Sequence, residues 1–152
     1  MKTLFSMILA LATLASIPAQ ADERRLLPVH PSEEWKMECG SCHLAYPPRL
    51  LPAASWRKLM ASLDQHFGTD ASLSPRETRE ITDFLVKNAA SRWRSPTAPQ
   101  RITETAHFRH EHDELAASVW KRVAIKSKSN CAACHPSAEQ GDFEERRVRI
   151  PR

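Results

Sequence analysis

After residue 21 the chain has no apolar run long enough to cross a bilayer, so nothing in the mature sequence reads as a membrane span. It has no grouping of residues that would serve as acid, base or nucleophile in bond-making chemistry, which argues against an enzyme. Its two halves share no repeat beyond one short motif. Methionine is scarce, with only Met37 and Met60 left once the first 21 residues are set aside. Cysteine is scarcer in effect, because all 4 fall within two pentapeptides and none is left over for a disulfide.

Those pentapeptides are Cys39-Gly40-Ser41-Cys42-His43 and Cys131-Ala132-Ala133-Cys134-His135. Both read C-x-x-C-H, the pattern of covalent c-type haem attachment. On a helix the cysteines are i and i+3 and the histidine is i+4 to the first, so two thiols and one imidazole share a face. The thiols add to the haem vinyl groups and the imidazole coordinates iron as proximal ligand. The residues expected to hold two haems are therefore Cys39, Cys42 and His43, and Cys131, Cys134 and His135. A zinc ribbon also uses two C-x-x-C pairs, but with far fewer residues between them. Local disulfides or redox pairs do not explain a histidine directly after both pairs.

Lys2, the uncharged and mostly apolar run Leu4 to Ile17, and Ala19-Gln20-Ala21 read as a secretory signal with its cleavage site, over residues 1–21. Export to a bacterial periplasm fits, since c-type haem is attached outside the inner membrane. Of 152 residues, 131 would remain, and loss of Lys2 would lower the formal charge from +4 to +3. Haem carboxylates would lower it further, so the sequence pI of 9.1 does not point to nucleic acid, and none is expected as a partner.

Pro28 and Pro31 predict an extended lead-in. Ser32, with Glu33 and Glu34 behind it, predicts the start of a helix that carries Cys39 to His43. Trp35 and Met37 could pack on a haem edge or make ordinary apolar contacts. After the breaker Tyr46-Pro47-Pro48, an amphipathic helix is expected from Ser55 to Phe67. At about 100° per residue, Leu59, Met60, Leu63 and Phe67 lie within about 60° of Trp56, with His66 at the edge of the stripe. Gly68 would stop this helix. Ser74-Pro75-Arg76-Glu77 predicts a capping box and a helix to about Ala90, with Ile81, Phe84 and Leu85 inward. Arg76/Glu80, Arg79/Asp83 and Asp83/Lys87 are at ion-pair spacing on its other face.

Ser95-Pro96-Thr97-Ala98-Pro99-Gln100 has the composition of a linker. It divides a haem 1 module, residues 22–94, from a haem 2 module, residues 101–152. In the second, a helix from Ala106 to Leu115 would turn His112 inward beside Phe108 and Leu115, and would place His107 and His110 with Glu114. Trp120 leads into a basic stretch, Lys121 to Lys128. Ser129-Asn130 would cap Cys131, Gly141 would end the helix after Pro136, and Arg146 to Arg152 would be a solvated arm.

The sixth ligand of each iron decides what the haem can do. Five histidines lie outside the motifs after residue 21, against two methionines, which favours histidine at both irons. His66 is the candidate for haem 1 and His112 for haem 2, with His107 or His110 as alternates. Met60 reads as packing and His30 as surface. The run His110-Glu111-His112-Asp113-Glu114 could also hold a divalent cation, or be a solvated polar run.

Glu38 to His43, Tyr46-Pro47-Pro48 with Leu50-Leu51-Pro52, Ser55-Trp56, His66-Phe67-Gly68, Arg101-Ile102-Thr103, Phe108, His112, Asn130 to His135 and Ala138 to Gly141 together resemble a bacterial family of small soluble dihaem cytochromes c. The resemblance implies a mainly α-helical protein of two small helical haem-binding modules, with haem forming much of the core. It implies bis-histidine irons, with His66 and His112 at the family's ligand positions. His107 stands where the family pattern has an aromatic residue. The implied function is electron relay, not enzymatic catalysis, with a c-type haem protein and a membrane b-type cytochrome as partners. Two other classes fit the same motifs: an electron-entry subunit of a larger periplasmic reductase, and a haem enzyme or gas sensor with one open iron.

Overall fold

The first helix begins where a hydroxyl can cap it. Ser32 is extended and accepts from the Trp35 N–H at 3.1 Å, while Glu33 and Glu34 occupy the first turn of α1 (Glu33–Gly40). A cap of this kind stabilises by about 1 kcal/mol. The computed structural model describes residues 26–91 and 97–152, so the signal read over residues 1–21 and linker residues 95 and 96 lie outside the described residues. α1 ends sooner than the motif spacing predicts. The Ser41 hydroxyl donates to the Glu38 carbonyl at 2.9 Å, a local bond that competes with continued helix. Cys42 and His43 therefore lie in the turn beyond α1, and only Cys39 is on it.

The same chemistry shortens the next element. α2 (Ala53–Met60) buries Ser55, Trp56, Leu59 and Met60, but the helix expected to reach Phe67 breaks at Ser62, whose hydroxyl donates to the Lys58 carbonyl at 3.2 Å. A 3-10 turn, Leu63–Gln65, follows, and the chain reverses through Phe67 (φ 54°) and Gly68 (φ 98°). That left-handed turn is free for glycine and costs phenylalanine roughly 1 kcal/mol or more. The Arg101 guanidinium, 4.1 Å over the Phe67 ring, offsets part of the cost.

α3 (Pro75–Lys87) starts on the expected capping box. Ser74 accepts from the Glu77 N–H at 3.3 Å, and the Ser74 N–H donates to Glu77 Oε2 at 2.9 Å. Arg76 pairs with Glu80 at 2.6 Å and also reaches Glu34 of α1 at 3.2 Å. α3 packs mainly on α2 and more lightly on α1. The three helices enclose Trp35, Leu51, Trp56, Leu59, Met60, Ile81 and Leu85. Within this core Trp56 Nε1–H donates to the Pro48 carbonyl at 2.8 Å, and Trp35 meets Phe84 at 5.3 Å between ring centres. Of the two residues read as haem-edge or ordinary contacts, Trp35 belongs to it and Met37 is 65% exposed; Met60, read as packing, also belongs to it. Among the described residues there is no strand, only isolated bridges at Pro52/Ala90 and His66/Thr69.

The C-terminal half is built differently. Thr105 caps α4 (Ala106–Glu111) by accepting from the Phe108 N–H at 3.0 Å, and α4 ends before the predicted Leu115. The rest runs through 3-10 turns at Val119–Lys121, Cys131–Ala133, Ala138–Gln140 and Glu145–Arg147. Of its described apolar side chains only Phe108, Ile125 and Ala138 are buried. The tail is not a solvated arm. The Arg149 N–H donates to the Cys134 carbonyl at 2.8 Å, and Arg122 Nη1 donates to the Pro151 carbonyl at 2.7 Å, so the chain end is hydrogen-bonded beside the second motif.

Contacts join the halves. The Leu26 N–H donates to the Gly141 carbonyl at 3.1 Å. Gly141 is left-handed (φ 73°), and a Cβ there would lie 2.6 Å from Leu27 Cγ, so only glycine fits. Ile102 packs on the N-terminal core, and the Tyr46 hydroxyl donates to the Ser129 carbonyl at 2.7 Å.

Candidate functional site

Each C-x-x-C-H histidine faces a second histidine from elsewhere in the chain. His43 and His66 have ring centres 6.1 Å apart with planes inclined at 23°. His135 and His112 have ring centres 6.2 Å apart with planes at 74°. Two imidazoles on opposite sides of one metal ion, with metal–nitrogen bonds of roughly 2 Å, have ring centres roughly 6.2 Å apart. Both pairs have that spacing.

At the first site the capped α1 delivers Cys39, and the following turn delivers Cys42 and His43. His43 Nδ1 lies 2.7 Å from the Leu44 carbonyl. A carbonyl only accepts, so Nδ1 carries the proton and Nε2 is the free ligand atom. Tyr46 stacks on His43 with ring centres 4.8 Å apart. The opposing His66 is positioned by the 3-10 turn and the Phe67-Gly68 reversal, not by a helix face as the periodicity implied.

At the second site the Cys131–Ala133 turn closes with Cys134 N–H on the Cys131 carbonyl at 3.1 Å and His135 N–H on the same carbonyl at 2.8 Å. One turn thus groups both cysteines and the histidine without a long helix. His112, the C-cap of α4, has Nδ1 2.8 Å from the Phe108 carbonyl, which again leaves Nε2 free. Phe108 stacks on it at 4.1 Å, and Trp120 flanks it at 5.7 Å. Phe143 packs on His135 at 5.0 Å. Of the two alternates, His110 is 80% exposed beside Asp113, and His107 lies 3.5 Å from Glu111; neither makes a described ring contact with His135. His30 is exposed. Among the described residues no three His, Cys, Asp or Glu groups converge as a cation site, including the run 110–114.

The electrostatics suit neutral ligands. Burial lowers the pKa of His66, with His43 and then Arg101 adding to the effect. Burial also lowers that of His135, assisted by His112 and opposed by Asp142. Neutral imidazole is the form that binds a metal. Burial pushes the Cys39 and Cys131 thiols up to about 11, and all four thiols are unpaired as disulfides. The residues present therefore fit two haems, each with two thiols and two facing imidazoles.

The family model described as dihaem cytochrome c matches residues 35–143. The chain belongs to that family. It carries two covalently bound c-type haems, and membership implies electron transfer. The fold agrees with solved relatives. A dihaem cytochrome c from Shewanella baltica OS155 is 45% identical over 78% of this chain and 92% of its own, with a TM-score of 0.71. One from Rhodobacter sphaeroides is 42% identical over 77% of this chain and 98% of its own, with a TM-score of 0.68. A further structure of that organism's protein is 44% identical over 76% of this chain and all of its own length, with a TM-score of 0.67. No curated protein matches the chain. The chain is mainly helical, and among the described residues no helix is long and apolar enough to cross a membrane.

Tyr46, Trp120 and Phe143 at these sites were not singled out for function by sequence reasoning; Trp120 read only as the lead into a basic stretch. Tyr46 read as part of a helix breaker and of the family resemblance, with no role at the haem, although it is the sole tyrosine and lies three positions after His43. Phe143 carried no signal, because its proximity to His135 depends on the turns at Ala138–Gln140 and Gly141.

Proposed function

We propose that this protein is an exported periplasmic electron carrier with two bis-histidine haems, one held by Cys39, Cys42, His43 and His66 and the other by Cys131, Cys134, His135 and His112. The observation that carries the reading is the facing of each motif histidine by a second imidazole at 6.1 and 6.2 Å between ring centres. When bound, haem supplies a one-electron couple at iron. The chain's residues would hold that haem between paired imidazoles: the Leu44 and Phe108 carbonyls orient His43 and His112, and Tyr46, Phe108, Trp120 and Phe143 pack around the imidazoles. With an imidazole from the chain on each side, neither iron would keep an open place for a substrate or gas. The function is relay between redox partners, a c-type haem protein and a membrane b-type cytochrome, with modules 22–94 and 101–152 each organised on one haem.

The test is axial. A pyridine haemochrome assay on matured protein should return two haems, and the holoprotein should be low-spin and unreactive to carbon monoxide. His66→Ala should open one haem to carbon monoxide, and His112→Ala the other, while His107→Ala and His110→Ala leave both closed. Two haems that both stay closed in His66→Ala or in His112→Ala would overturn the assignment at that iron.

A further inference from the structure

Between Glu114 and Glu139 the chain has 24 residues with no acidic side chain and four cations, Lys121, Arg122, Lys126 and Lys128. This segment contains the second haem motif. Its middle is a tight loop. The Ile125 and Lys126 N–H groups both donate to the Arg122 carbonyl at 3.0 Å, Asn130 Nδ2 donates to the Ile125 carbonyl at 3.0 Å, and Ile125 is buried. The anchored loop leaves Lys121, Val123, Ala124, Lys126 and Lys128 exposed, Val123 to 88%. Among the described residues Lys121, Lys126 and Lys128 make no ion pair, and Lys128 Nζ lies 5.5 Å over the Trp120 ring. Trp120 is half-buried and in turn flanks His112 at 5.7 Å. One indole thus lies between an axial imidazole and a cationic surface.

Resting on the electron-carrier reading, we infer that the loop from Trp120 to Ser129 is the docking surface of haem 2 for an acidic redox protein, with Trp120 as the contact between His112 and that partner. Unpaired lysines around a small exposed apolar centre match a carboxylate-rimmed face, and opposite charge steers encounter without requiring a large interface. Weak redox complexes are of that small kind, which allows release after each electron. The segment that carries His112 has the opposite sign: residues 102–114 hold Glu104, Glu111, Asp113 and Glu114 against Arg109. The charge is therefore local to the loop and would orient a partner toward Trp120.

The test uses matured, reduced holoprotein in stopped flow, with oxidised plastocyanin as carboxylate-rich acceptor and oxidised mitochondrial cytochrome c as basic acceptor. With plastocyanin the second-order rate should fall by about 10-fold or more as salt rises from about 10 mM to about 300 mM. K121E/K126E/K128E should lose about 10-fold at low salt and reverse the salt slope, while its reaction with cytochrome c becomes faster. The exposed control R57E/K58E on α2 should change neither rate by more than about 2-fold. Unchanged haem spectra and potentials in each variant would show that the sites are intact. Equal loss in the control, or a wild-type slope retained in the triple variant, overturns the surface while leaving the carrier reading in place. Lysine-dependent sedimentation with phosphatidylglycerol vesicles, or lysine-dependent self-association, with no salt-dependent reaction with plastocyanin, would also overturn it. Failure to reduce either acceptor would overturn the carrier reading as well.

Discussion

At the scale of single residues, the two imidazole pairs have one spacing and two orientations. The rings of His43 and His66 are near parallel at 23°, whereas those of His135 and His112 are near perpendicular at 74°. Parallel imidazole planes split the iron dπ orbitals; perpendicular planes leave them close in energy. The oxidised holoprotein should therefore give two low-spin electron paramagnetic resonance signals, one rhombic and one with a single, strongly anisotropic g value. In Cys131→Ala/Cys134→Ala the anisotropic signal should vanish and the rhombic one remain. Two superimposable signals in the wild type would count against the geometry. The cysteines and proximal histidines could be read directly from C-x-x-C-H, because the chemistry fixes their spacing. The opposing histidines could only be ranked. Periodicity marked His112 as inward, and the structure sets it on Phe108 and facing His135. For His66 the periodicity used a helix that does not exist there, and the residue faces His43 because of the Phe67-Gly68 reversal.

At the scale of elements, helix starts with a side-chain cap were legible and helix ends were not; α2, behind Pro52, which gives no side-chain cap, starts at Ala53 and not at the expected Ser55. Ser32, Ser74 and Thr105 all cap through their side chains. At Ser32 and Ser74 a hydroxyl next to acidic first-turn residues is a local signal that the rest of the fold need not agree to; Thr105 caps α4 with no acidic residue in the first turn. Ends depend on competition: Ser41 and Ser62 donate to the carbonyls of Glu38 and Lys58 and let the chain leave the helix while the apolar pattern continues. The α3 box allows a measurement. Ser74→Ala removes the bond to the Glu77 N–H and should cost about 1 kcal/mol, seen as a fall of a few degrees in the thermal midpoint of the holoprotein. Haem spectra should not change, since α3 carries no ligand. A midpoint equal to the wild type would show that α3 is held by its packing on α2 alone.

At the scale of the whole molecule, the halves differ in what can hold them together without haem. The N-terminal half encloses seven buried apolar residues between three helices; the described C-terminal half buries Phe108, Ile125 and Ala138. Removing the second haem with Cys131→Ala/Cys134→Ala should expose amides of residues 101–152 to hydrogen exchange within seconds to minutes, while those of α2 and α3 stay protected. Uniform loss of protection would show that the N-terminal core depends on haem 2. A reading in which haem forms much of the core of both modules did not anticipate this asymmetry. Nor could it anticipate the junction between halves: Leu27 against Gly141 and Ile102 against the first core are contacts between residues that carry no pattern.

The hydrogen bond from Tyr46 to the Ser129 carbonyl joins residues 83 positions apart, and its two ends lie three residues after His43 and two before Cys131. A closure of that length forms late, since loop entropy opposes it until both ends are held in place. Held ends require both motifs to be ordered. The bond is thus a marker that both motifs are ordered: in Cys131→Ala/Cys134→Ala it should be lost, and added protease should cut the second half faster than in the wild type.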